Sequence, residues 1–216
     1  MPIATKKQGF ELIPAGVQQA VCVGVIDIGT QPTTGNFAAR RKVFITWELP
    51  SERIMVKSGD GTGEIEMPRV ISKEYTLSTD KKSNLRHDLE AWRGKAFTAE
   101  EVDRFDVGKL IGANCQLNII HKPSADGSKT YANVGGIMPL AKGVAKLATE
   151  NDTIVYDIPD TGTITFPANL PEWIQAKIRV SDEYIERTNP TPAKAGVAAT
   201  PDQAANLTAG DEAVPF

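Results

Sequence analysis

The sequence predicts a mostly β domain: a five-stranded barrel with a helix between its third and fourth strands, peripheral strands and a helix after it, and a disordered C-terminal tail. Three features carry this expectation. Segments rich in β-branched residues, one of them alternating from Arg41 to Leu49, are separated by Gly-, Pro- and Asn-rich breaks. The principal switch to helical periodicity falls after the third of these segments. From Thr188 the composition collapses to Pro, Ala, Thr, Gly and Asn, which cannot bury enough apolar surface to fold alone.

In chain order, the first 16 residues read as an extended arm. "VQQAVCVGVIDIG", Val17 to Gly29, is the first strand, and "TQPTTGNFAAR" is a loop. "RKVFITWEL", Arg41 to Leu49, alternates Val43, Ile45, Trp47 and Leu49 with Lys42, Phe44, Thr46 and Glu48, which predicts a half-buried strand. "PSERIMVKSGDGTGEIEMP" reads as an excursion around a Gly-rich turn, and "RVISKEYTLS", Arg69 to Ser78, as the third strand. In "DKKSNLRHDLEAWRG", Leu85, Leu89 and Trp92 recur at helical spacing and Gly94 suits a C-terminal cap. Thr98 and Glu101 form a capping box for a short second helix. "ANCQLNIIHK" and "TYANVGGIMPL" are the fourth and fifth strands, joined through Asp126-Gly127. Residues 144–187 read as a peripheral extension with one or two strands and a helix reaching about Ile178. This order matches the OB-fold, a Greek-key barrel whose strand 2–3 face and flanking loops bind oligonucleotides or oligosaccharides. The expected division is therefore an arm (1–16), an OB core (17–143), the extension (144–187), a linker (188–210) and a tip (211–216).

Composition narrows the function. Hydrophobic content of 41% and charged content of 24% are ordinary for a globular chain. No apolar run approaches the ~20 residues of a membrane span, and "MPIATKKQGF" lacks the apolar region of a secretory leader. Cys22 and Cys115 lie in apolar strand-like runs and read as reduced, buried thiols. With His87 and His121 they make no metal-binding spacing, so no metal or cofactor is expected. No phosphate loop, catalytic triad pattern or CxxC is present, which predicts a non-enzymatic protein. Net charge is −3, but residues 188–216 set Lys194 against Asp202, Asp211 and Glu212 and so carry two of those three charges. The near-neutral body leaves room for a basic groove.

Sequence-tolerant binding of single strands needs cations for phosphates and aromatic faces for bases. "NFAARRKVFITWE" holds both, and predicts phosphate contacts from Arg40, Arg41 and Lys42 and stacking by Phe44 and Phe37. Lys73 and Tyr75 in the third strand share parity with Ile71 and Leu77, so Tyr75 is balanced between core and DNA contact. Lys122, Lys129 and Tyr131 flank the last hairpin and complete the candidate DNA-binding set.

The final residues, "DEAVPF", resemble the acidic tip of bacterial single-stranded DNA-binding proteins, where an acidic run leads to Pro-Phe. The matching positions are Asp211, Glu212, Val214, Pro215 and Phe216; the acidic run is shorter here and Ala213 interrupts it. The resemblance implies recruitment of replication and repair partners through this tip. "VIDIGTQ", "ISKEYTLS", "LRHDLEAWRGKAFTAEE" and "YANVGGIMPLAKG", within residues 9–143, are similar to phage- and prophage-encoded single-stranded DNA-binding proteins. That similarity implies single-strand binding in phage replication or recombination, in the cytoplasm of a bacterial host and away from membranes. Self-association stays open, and the competing readings are a ring-forming annealing protein, a virion component with a docking tail, and a nuclease.

Overall fold

The computed structural model describes residues 11–32, 38–59 and 61–189. Its strands are β1 (Gly16–Gln31), β2 (Arg40–Lys57), β3 (Glu64–Thr76), β4 (Asn114–Pro123), β5 (Thr130–Met138) and β6 (Ile154–Tyr156). Its helices are α1 (Asn84–Arg93), α2 (Ala99–Asp103), α3 (Glu172–Arg179) and α4 (Asp182–Thr188), with a 3₁₀ turn at Val107–Leu110. Five strands form one antiparallel sheet in the order β3-β2-β1-β4-β5, and β6 adds to β1 in parallel. No helix among the described residues is long and apolar enough to cross a membrane.

The sheet curls because β1 serves two neighbours. Its first part pairs with β4, from Gly16 opposite Ile119 to Val21 opposite Asn114. Its remainder pairs with β2, from Val21 opposite Glu48 to Gln31 opposite Arg40. Register shifts between Cys22 and Gly24 and between Asp27 and Gly29 add local bend. Gly24 permits the close approach of β2, since a Cβ there would lie 3.0 Å from the Thr46 Cβ. The result is a half-barrel whose end strands, β3 and β5, approach without a hydrogen-bonded ladder.

The concave side holds the main core. Val43, Ile45, Trp47 and Leu49 point into it as the alternation requires, with Cys22, Val25, Ile71, Tyr75, Cys115, Leu117 and Ile119. Helix α1 closes it with Leu85, Leu89 and Trp92. That helix ends at Gly94, whose φ of 68° is costly for a residue with a Cβ. The capping box of α2 is present in full, Thr98 accepting from the Glu101 N–H and Glu101 from the Thr98 N–H. Both cysteines are free and buried, and burial pushes the Cys22 thiol up to about 12. Leu89→Ala is expected to remove roughly 3 kcal/mol and lower Tm by about 8 °C in thermal unfolding, because it hollows the helix–sheet contact.

The convex side of β1 is not wet. Ile26, Ile28 and Phe44 pack there against Tyr156, Ile158, Leu170, Ile174 and Ile178 from residues 154–178. Three carboxylates fasten this layer. Glu48, fully buried, accepts from the N–H groups of Glu150 and Asn151 and from Asn151 Nδ2 at 2.8–3.1 Å. Asp27 accepts from Gly29 N–H, Ile158 N–H and Arg41. Glu183 of α4 accepts from both Thr30 N–H and Thr30 Oγ1 at 2.7 Å. Gly29, at φ 72°, lets α4 sit against the strand; a Cβ there would meet Ser181 and Glu183 at 2.6 Å.

Sequence expectation and structure agree on the peripheral strand and α3 but differ in extent at two places. Strands β2 and β3 run on through the expected excursion as a long hairpin, with a register shift between Leu49 and Arg53. One short peripheral strand forms, and α3 starts after Pro171. Helix α4 was not expected; it is only seven residues long, with no buried residue to give its sequence a helical apolar stripe.

Candidate nucleic-acid interface

The end of β2 at the β1–β2 connection, the end of β3 and the start of α1 enclose a groove of about 660 Å³. Arg40, Lys42, Lys73 and Lys82 line it, against two acids, Glu74 and Asp80. Arg40 is the first residue of β2, opposite Gln31 at the end of the β1–β2 ladder; it is exposed and makes no ion pair among the described residues. Ser83 and Asn84 bring the start of α1 to the groove. The first turn of α1 carries no acid, so the partial positive charge of that helix end is not neutralised from within its own first turn. Among the described residues no cluster of three His, Cys, Asp or Glu side chains is placed to hold a metal ion.

The groove's lysines are partly committed. Lys42 Nζ lies 2.7 Å from Glu74 Oε1, and Lys177 Nζ from α3 lies 2.9 Å from Glu74 Oε2. Lys73 Nζ bonds Asp88 at 2.6 Å and sits 5.1 Å above the Tyr75 ring. Burial raises the Glu74 carboxyl, but hydrogen bonds from Lys42 and Lys177 outweigh it, and the net displacement is below the ordinary carboxylate value.

Three expected contacts are corrected. Arg41 is taken up by the fold: its Nε donates to Asp27 at 3.1 Å and its Nη2 to Asp157 at 3.3 Å, which ties β2 to the extension. Tyr75 is a core residue whose hydroxyl donates to Asp88 at 2.8 Å, and burial, then the Asp88 charge, raises its pKa. Phe44 lies on the convex face as alternation predicts, yet it is only 6% exposed. Helix α3 covers it: Trp173 meets its ring edge-on at 5.2 Å, and the Lys177 ammonium lies 5.4 Å from its centroid. Phe44 therefore offers no face for a base.

The last hairpin forms a separate group. Tyr131 is 51% exposed, directly opposite Lys122, and Lys129 is exposed at the turn. This hairpin leaves the sheet at the Gly16 end of β1, whereas Arg40 stands at the Gln31 end. The two groups share the sheet but not one cluster. Phe37 and the tip residues Asp211, Glu212, Val214, Pro215 and Phe216 lie outside the described residues.

Sequence reasoning passed over Trp173 and Lys177. The signal was present: Ile174 and Ile178 mark the buried stripe of α3, which places Trp173 off that stripe. Trp173 is 52% exposed, and Lys177, one turn further along the same face, reaches Glu74, which lines the groove. Gln31, which lines the groove, donates to the Lys177 carbonyl at 3.2 Å.

No family model matches the chain, and neither the curated proteins nor the solved structures contain a significant match to it.

Proposed function

We propose that the chain binds single-stranded DNA without strong sequence preference, on an OB-type barrel, and recruits replication or repair partners through its acidic Pro-Phe tip. The carrying observation is the groove at the open end of β2 and β3, where Arg40, Lys42, Lys73 and Lys82 meet the start of α1. Phosphates need this density of cations, and an exposed aromatic beside it supplies a face for bases. The strand order and the helix between β3 and β4 support the OB reading. The tip and the phage-like segments support a role in phage replication or recombination.

Binding to a fluorescent dT oligonucleotide and to duplex DNA, each at two salt concentrations, tests the reading. The expected result is tight single-strand binding with far weaker duplex binding. Its affinity should fall with salt at a logarithmic slope of about 0.7 per phosphate contacted. Absence of single-strand binding at low salt overturns the proposal.

A further inference from the structure

A tryptophan ring left half in water forgoes much of the hydrophobic stabilisation that it could gain. Trp173 is 52% exposed on a helix that buries Ile174 and Ile178. The ring is nevertheless held in place. It stands at 76° to Phe44 with centroids 5.2 Å apart, and Phe44 is itself packed among Ile26, Ile28 and the α3 isoleucines. One side of the indole is thus fixed while much of the rest remains open.

Its surroundings favour nucleic acid over an apolar partner. Lys177, one turn further along the same face, and Lys42, on β2, reach the same Glu74 carboxylate. The neighbouring convex positions of β2 and β3 are Thr46 and Ser72, hydroxyl to hydroxyl at 2.8 Å. A rigid aromatic beside two ammonium groups and a hydroxyl-bearing sheet face can take a base on the ring and phosphates on the lysines. Helix α3 also leads into the groove, because Gln31 bonds the Lys177 carbonyl and lines the groove wall.

Resting on the reading of the chain as a single-strand binder, we infer that Trp173 is its base-stacking platform. Helix α3 then forms one wall of the nucleic-acid path, and the segment after the five-stranded sheet is part of the binding face. Phe44 supports the platform from below.

The test uses intrinsic fluorescence of the full chain titrated with dT oligonucleotide, with anisotropy of a labelled oligonucleotide as an independent measure of binding. The chain has three tryptophans; Trp47 is 0% and Trp92 7% exposed, so quenching by stacked bases reports Trp173. Saturating oligonucleotide should quench the wild-type emission and leave that of Trp173→Phe nearly unchanged. Trp173→Ala should bind about tenfold more weakly, and Trp173→Phe, which keeps a ring on Phe44, should fall between them. Binding by anisotropy with unquenched emission and an unchanged Trp173→Ala affinity would overturn the platform and leave single-strand binding standing. Emission that shifts with protein concentration alone, unaffected by oligonucleotide, would assign the ring to self-association and likewise overturn it. No anisotropy change at low salt would remove single-strand binding and the platform together.

Discussion

On the proposed single-strand binding, Glu74→Gln is expected to tighten affinity for dT oligonucleotide by several-fold to about tenfold at 50 mM salt. Glu74 lies opposite Phe44 on the convex face and holds two ammonium groups, Lys42 and Lys177, one on each oxygen. On the proposed function, phosphates arriving at this face must compete with that carboxylate for both lysines and are also repelled by it. The amide keeps an acceptor and nearly the same shape but removes the charge. Two freed cations raise the salt slope by up to about 1.4, at roughly 0.7 per phosphate gained. The stability change is small, since partly exposed ion pairs contribute about 0–1 kcal/mol each.

Acid does not reproduce this variant at ordinary pH. The folded-state carboxyl titrates below its unfolded value, so the Glu74 contribution to stability is complete above the ordinary carboxylate range. It is lost only as pH falls through the lowered value. Wild-type affinity measured between pH 6 and 8 should therefore not rise toward that of Glu74→Gln. An unchanged affinity in the variant would mean that neither lysine meets a phosphate, and would move the DNA path away from this face.

Much of the curled sheet could be read because each strand's alternation is a local property. Val43, Ile45, Trp47 and Leu49 face inward in the structure as they do in the pattern, and Leu85, Leu89 and Trp92 close the core from α1. The site was less legible because its geometry depends on long-range register. Nothing local says that Lys42 will meet Glu74 thirty-two residues away, or that Arg41 will find Asp157. Alternation assigned Phe44 to a face but could not say what covers that face. The clue lay in β1, where Val25 and Ile26 are apolar at successive positions and turn to opposite cores. A strand apolar at both parities is buried on both sides, so some segment had to cover the convex side of β1 and its neighbour in β2. The helix that does so carries its own aromatic outward, and Trp173 is exposed where Phe44 had been expected.

This exchange of roles gives Phe44 a distinct mutational signature. Phe44→Ala should destabilise the protein by about 3–5 kcal/mol, because it removes a buried ring from the second core and leaves a cavity beside Ile26, Ile28, Ile174 and Ile178. In a chain of this length that lowers Tm by roughly 10 °C or more in a thermal melt. Phe44→Leu keeps most of the volume and should cost about 1–1.5 kcal/mol. If Phe44 were a stacking residue, Leu would be nearly as damaging to DNA binding as Ala, since neither presents an aromatic face. If it is a core residue that holds α3, the folded Phe44→Leu protein should keep its single-strand affinity to within about threefold. An affinity loss of tenfold or more in Phe44→Leu that persists in a Trp173→Ala background, where no platform is left to support, would show that the Phe44 ring itself meets a base and that α3 does not stay docked over it.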